Sequence, residues 1–163
     1  MPSTYQPIAT QTLGSTASSV TFSSISGSYT DIVVVAVAGS SSDANWRIQF
    51  NGDTSTNYSV TQLAGNGSAA ASFRTTSEAS FLANRYAYLS NNLNNNILIN
   101  VQNYSNTTTN KTALIRTNSA ALGTDAIVGL YRSTSAITSI TLFPNTGSFI
   151  VGSTFTLYGI KAA

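Results

Sequence analysis

Residues Gly152-Ser-Thr-Phe-Thr-Leu-Tyr-Gly-Ile-Lys161 alternate in character with a period of two, and that alternation commits this part of the chain to a sheet. Phe155, Leu157 and Gly159 fall on one face, and Thr154, Thr156, Tyr158 and Ile160 on the other. A segment near a terminus frays unless something ties it down, so the pattern implies a strand that closes a β-domain. No segment shows a convincing helical period. Short runs of β-branched and aromatic residues recur instead, punctuated by Gly, Asn and Ser, and they predict about eight to ten strands. The clearest are Ser19 to Ile25, Asp31 to Ala38, Trp46 to Phe50, Tyr58 to Leu63, Ile97 to Asn103, Thr112 to Thr117, Ala126 to Arg132, Ile137 to Phe143 and Ser153 to Lys161, with a further candidate in Arg85 to Leu89.

Ile32 to Ala38 is apolar at every position, as expected of a strand covered on both faces or of one whose outer face meets another subunit. Trp46, Ile48 and Phe50 alternate with Arg47 and Gln49, and Asn51-Gly-Asp53 then supplies a turn. Ala64 to Ser72 and Asn91 to Asn96 lack bulky apolar residues and read as surface loops, and Ser77 to Ala83 as a single helical turn. Strand number and spacing, with few helical signals, predict an all-β chain: a single antiparallel β-sandwich of jelly-roll type over residues 13–163, preceded by an N-terminal arm over residues 1–12.

The chain has 163 residues, enough for one domain that buries roughly 70% of the surface its unfolded form exposes. It contains no cysteine, so disulfides and thiolate metal sites are excluded. Only 7% of residues are charged, with Ser, Thr and Asn in place of Lys and Glu. The seven basic residues, Arg47, Arg74, Arg85, Lys111, Arg116, Arg132 and Lys161, are dispersed, whereas nucleic-acid binding needs a concentrated basic stripe. The start lacks the basic and apolar regions of a cleavable signal, and Ile32 to Ala38 falls far short of the ~20 residues that span a bilayer. A protein made in a cytoplasm, with neither nucleic acid nor membrane as partner, is the expectation.

The absence of histidine removes the commonest general base and metal ligand. The five acids are Asp31, Asp43, Asp53, Glu78 and Asp125, and turn chemistry accounts for Asp43 and Asp53 better than a glycosidase pair does. No calcium-loop spacing is present, although Asn51, Asp53 and Asn57 lie close enough in sequence to contribute weakly to one. Gly65-Asn-Gly67 opens no helix and has no phosphate-cradling context. No enzyme, cofactor or metal is therefore expected. Tyrosines flanked by Asn and Ser suit half-buried strand positions, and near loops, as at Tyr58 and Tyr104, they also suit a contact face. The sheet edges add a further constraint. Natural β-proteins blunt exposed edges with charge, proline or bulges, and this chain has few charges and only Pro2, Pro7 and Pro144. Neighbouring subunits, short edge strands or loops folded back within the subunit are expected to cover them.

Phe50-Asn-Gly-Asp-Thr-Ser-Thr-Asn-Tyr-Ser59 with Leu63-Ala-Gly-Asn-Gly-Ser68, and the closing segments Ile137-Thr-Ser-Ile-Thr-Leu142 and Gly152 to Lys161, resemble virion structural proteins of tailed bacteriophages, especially those of marine and cyanobacterial hosts. Leu13 to Phe22 and Tyr29 to Val34 extend the resemblance, and roughly Ser72 to Asn96 lies outside it. It implies a place in the virion, either as a capsid decoration (cement) protein or as a tail-fibre or receptor-binding module that reads host surface glycans. A single compact domain favours decoration. The expectation is then a homo-oligomer, first a trimer, on the capsid surface, with the major capsid protein as its partner. Contact residues are expected in the arm (Tyr5, Gln6, Pro7) and near the loops (Asn51, Asp53, Asn57, Tyr58, Tyr104).

Overall fold

The computed structural model describes residues 4–93 and 95–161. Among them are twelve strands in two antiparallel sheets packed as a β-sandwich. In chain order these are β1 (Tyr5–Thr12), β2 (Val20–Phe22), β3 (Asp31–Ala38), β4 (Trp46–Phe50), β5 (Tyr58–Gly65), β6 (Ala70–Glu78), β7 (Phe81–Leu82), β8 (Asn95–Gln102), β9 (Lys111–Ser119), β10 (Gly123–Tyr131), β11 (Ile140–Pro144) and β12 (Thr154–Ile160). The larger sheet runs β1-β12-β3-β8-β9-β10-β5-β6 and the smaller β2-β11-β4-β7. From β1 to β4 the chain changes sheet at every connection. It then adds the hairpin β5–β6 to the far edge of the large sheet, returns to the small sheet at β7, lays down β8, β9 and β10 as a meander, and ends across both sheets with β11 and β12.

The core forms where the inner faces meet. Trp46 packs against Phe149 and Phe155, with centroid separations of 5.6 and 6.5 Å, the two phenylalanines themselves meet at 4.9 Å, and all three rings are fully buried. A second aromatic cluster joins Phe50, Phe81, Tyr58 and Tyr131, the two tyrosines stacked at 4.8 Å. Each large apolar side chain buried this way contributes roughly 1.5–3 kcal/mol, and each well-oriented ring pair about 0.5–1.5 kcal/mol more. Gly129 in β10 marks a close approach of the two sheets: a Cβ there would lie 2.7 Å from the Phe81 ring.

β4 and the closing strand follow the alternation in the sequence, with Phe155, Leu157 and Gly159 facing inward in β12, and β3 takes up the apolar run Ile32 to Ala38. Other segments differ. From Tyr5 onward the expected arm is strand β1, paired with β12 from Tyr5↔Ile160 to Thr12↔Thr154, so the sandwich begins eight residues earlier than residue 13; Met1 to Ser3 lie outside the described residues. Ala64 to Ser72 is the turn of the β5–β6 hairpin, because backbone pairing tolerates small side chains and the Asn66 side chain accepts from the Ser68 and Ala69 N–H groups (3.0 and 2.8 Å). Ser77 to Ala83 holds the end of β6 and the short β7 in place of a helical turn. Arg85 to Leu89 forms no strand, and its backbone joins a ladder position only at the isolated Ala44↔Leu89 bridge. Its backbone is held from the side instead, as described next.

Candidate functional site

The loop residues expected to make contacts turn inward and fasten the β4–β5 connection. Asn51 adopts a left-handed conformation (φ 54), which brings its side chain across to the segment before β11. There Nδ2 donates to the Ala136 carbonyl (2.8 Å), and Oδ1 accepts from the Thr138 and Ser139 N–H groups (2.8 and 3.2 Å). Asp53 accepts from Asn57 Nδ2 (2.9 Å), the Ser55 N–H (2.8 Å) and the Tyr131 hydroxyl (2.9 Å). These bonds, that from Asn57 foremost, lower its pKa to about 2. Tyr58 is fully buried; its hydroxyl accepts from the Phe50 N–H (3.0 Å) and donates to the Phe50 and Asp53 carbonyls (3.2 and 3.1 Å). Burial pushes its pKa well above the usual phenol range. Asn51, Asp53, Asn57 and Tyr58 are thus brought together, but as a turn lock whose hydrogen-bonding groups are spent on the chain itself.

Tyr104, at the start of the β8–β9 connection, is also fully buried, and its hydroxyl donates to the Ser26 carbonyl. It presents no contact surface. Tyr5, Gln6 and Pro7 lie on β1, where the exposed Tyr5 ring meets Tyr158 edge-on at 6.4 Å. Pro7 stands beside an irregularity in the β1–β12 register between Pro7 and Ala9. Two buried charges are also structural. The Asp125 carboxylate accepts from Gln62 Nε2 (2.9 Å) and from the Tyr86 and Ala87 N–H groups (3.2 and 2.9 Å), clamping the 83–89 loop over the inner face of β9, β10 and β5. Lys111 donates to the Thr109 and Thr134 carbonyls (2.7 and 3.1 Å), and burial lowers its pKa.

The surface with most capacity for contact is one that no loop motif marks: the outer face of the eight-stranded sheet. Paired register places Val35 beside Leu98, Leu98 beside Arg116, Arg116 beside Ala126 and Ala126 beside Leu63 in one row across five strands. The next row runs Val33, Asn100, Leu114, Val128 and Thr61. On this face Val35, Val37, Leu98, Leu114, Val128, Leu130 and Leu63 are 37–66% exposed. The sheet is concave here, with a hollow of about 550 Å³ bounded by Leu63, Leu98, Leu114 and Val128. Arg116 rises through the aliphatic surface and makes no ion pair or hydrogen bond among the described residues. Asn100 Oδ1 is shielded from solvent and has no partner. Toward β1 the face becomes a threonine ladder, Thr10 to Thr156 (3.1 Å) and Thr12 to Thr154 (3.2 Å).

The opposite surface has the reverse character. Outward positions of the four-stranded sheet include Thr21, Arg47, Gln49 and Thr141, and Arg47 pairs with Glu78 at 3.6 Å. The apolar face was readable in part: Ala126 to Tyr131 is apolar at every position, as is Ile32 to Ala38. What the sequence withheld was that the two runs share one sheet face, because β8 and β9 lie between them. No known family model matches the chain, and no curated protein matches it.

Proposed function

We propose that this chain is a structural subunit of a virus particle, most specifically a bacteriophage capsid decoration protein, which attaches to the major capsid protein through the outer face of its eight-stranded sheet. The uncovered aliphatic face carries the reading. Eight strands spaced by about 4.8 Å and about 24 Å long span roughly 900 Å² in all, of which the five strands bearing the aliphatic rows make up roughly 570 Å², against about 800 Å² per partner in a standard stable interface. Exposed apolar patches beyond a few hundred Å² mark contact surfaces. The hydrogen-bonding groups of Asn51, Asp53 and Tyr58 are already engaged internally, which weighs against a glycan site at that turn. Bacteriophage origin rests on the sequence resemblance described above. Binding the assembled shell in preference to its free parts would stabilise the shell by mass action.

We also read the sandwich as a jelly roll. If β1, β2, β3, β4, β7, β8, β11 and β12 are its eight strands, their orders β1-β12-β3-β8 and β2-β11-β4-β7 follow the interleaved two-Greek-key pattern, with β5–β6 and β9–β10 as insertions.

The test is to locate the tagged chain on purified particles and count its copies, alongside the variants Leu98→Glu and Val128→Glu. Hundreds of copies spread over the shell, lost in both variants while each still melts cooperatively, is the expected result. A few to a few dozen copies confined to the tail, or binding to host-surface glycans, would replace this reading with that of a receptor-recognition module.

A further inference from the structure

The four sheet edges are protected unequally. β1 carries Pro7 and a register irregularity, both devices that discourage pairing. In the small sheet the edge strands are only three residues (β2) and two residues (β7) long. β6 is different: nine residues, without proline or lysine, at the open edge of the large sheet. Its regular part runs from Ala70 to Thr75; the β5–β6 register then shifts, and Ser77 turns left-handed (φ 59), so the irregularity of this edge is confined to its far end. The hairpin begins with a bond from the Asn66 N–H to the Ala69 carbonyl (3.1 Å). Antiparallel alternation from that bond directs the backbone groups of Ala71, Phe73 and Thr75 toward β5, and those of Ala70, Ser72, Arg74 and Thr76 outward. A second apolar hollow of about 550 Å³, bordered by Leu63, Ala70, Ser72 and Ala126, extends along the outer face to this edge.

We infer that β6 pairs with β6 of a second copy of this chain about a two-fold axis, joining the two large sheets into one. A self-complementary edge meets its own copy by two-fold symmetry. The threefold arrangement expected from sequence would need β6 to pair with some other edge of its neighbour, and those edges are short or blunted. Centring the axis on Phe73 keeps the pairing within the regular stretch, Ala71 with Thr75 and Ser72 with Arg74 of the second copy. This register brings the two Phe73 side chains together as a cross-strand aromatic pair on the inner side. It also keeps Arg74 from facing its own counterpart, which a register one residue further along would impose. The contact goes beyond the shell-binding reading and holds independently of it, since it uses the edge and leaves the centre of the apolar face free.

Sedimentation of the purified full chain over a concentration series, with Ser72→Glu and Ser72→Lys beside the parent, tests the pairing. The parent should sediment as a dimer of the 17.0 kDa chain at high concentration. Ser72→Glu, opposite Arg74, should tighten the dimer and Ser72→Lys should loosen it, each by roughly two- to thirty-fold over two symmetry-related pairs. Both substitutions are solvent-exposed and leave the β5 pairing intact. Amide exchange provides a second measurement: Ser72 and Arg74 should gain protection on association, while Leu98→Glu and Val128→Glu should leave the dimer constant unchanged. A monomer at every concentration overturns the inference. So does weakening by both charges at Ser72, or a dimer abolished by Val128→Glu, either of which would place self-association on the sheet face.

Discussion

Replacing Tyr58 with Phe separates a structural tyrosine from a binding one. The ring remains, and with it the contacts to Phe81 (5.0 Å) and Tyr131 (4.8 Å); only the hydroxyl is lost. Of its hydrogen bonds, the one accepted from the Phe50 N–H matters most, because that group lies in the core beneath a fully buried ring. The Phe50 carbonyl keeps a second partner, the Asp53 N–H at 2.9 Å, so its loss is minor. One buried N–H left without a partner costs about 1–3 kcal/mol. For a chain of this size each kcal/mol moves the melting temperature by about 2–4 °C, so a cost near the middle of that range lowers Tm by about 4–8 °C. Thermal melts and urea titrations of Tyr58→Phe against the parent measure this, with an unchanged urea slope showing that the two states being compared are the same. A Tm within about 1 °C of the parent would refute the argument. It would mean that the Phe50 N–H finds another partner and that the hydroxyl does not lock the turn.

Gly129→Ala sets a methyl group against the Phe81 ring, whose position is fixed by Phe50 and Tyr58. Overpacking of this kind costs about 1–3 kcal/mol, and a urea midpoint equal to that of the parent would show that the ring yields freely. Asp53, with a folded pKa depressed to about 2, contributes stability that is complete above the ordinary carboxylate range and is lost as pH falls through about 2. Screening at this half-exposed site keeps the contribution to about 1 kcal/mol. In unfolding titrations between neutral pH and the acid limit, Asp53→Asn should remove that part of the slope, and an identical pH profile in the variant would count against the assignment.

Strands were legible where one side of an element is buried and the other wet. Trp46 to Phe50 and Thr154 to Ile160 each commit alternate side chains to the core, so the pattern and the structure coincide to within a residue. β1 and β6 were not legible, because edge strands of a large sheet bury little: Ala70, Ser72 and Arg74 are exposed, and only cross-strand backbone bonds hold them. The misplaced contact residues have a different cause. Asn51, Asp53 and Asn57 are the residue types that suit a ligand loop, and the same groups suit a tight turn that must satisfy its own backbone. Sequence does not say which way the side chains point; the register between β4, β5 and β11 decides it. Asp125 illustrates the converse, an acid without a motif that becomes the clamp for a loop thirty-eight residues away in sequence at Ala87.

The two sheets differ in a way that core packing alone does not require. A sandwich closes when each inner face is covered, and the four-stranded sheet obeys the usual economy of polar residues outside and apolar residues inside. The large sheet has eight strands against its partner's four, and the 83–89 loop, held by the buried Asp125 clamp, covers the part of the inner side of β9, β10 and β5 that the small sheet leaves open. Nothing in that arrangement calls for Leu98, Leu114, Val128 and Leu63 on the outside, where Thr or Ser would serve a pleated surface equally well. Such residues reduce solubility without adding to the core. Their grouping into adjoining rows across β8, β9, β10 and β5 is what the proposed covering partner would account for. The large sheet also ends in β6, an edge without proline that is regular from Ala70 to Thr75, so the same sheet supplies both a broad face and the edge through which a second copy would double it.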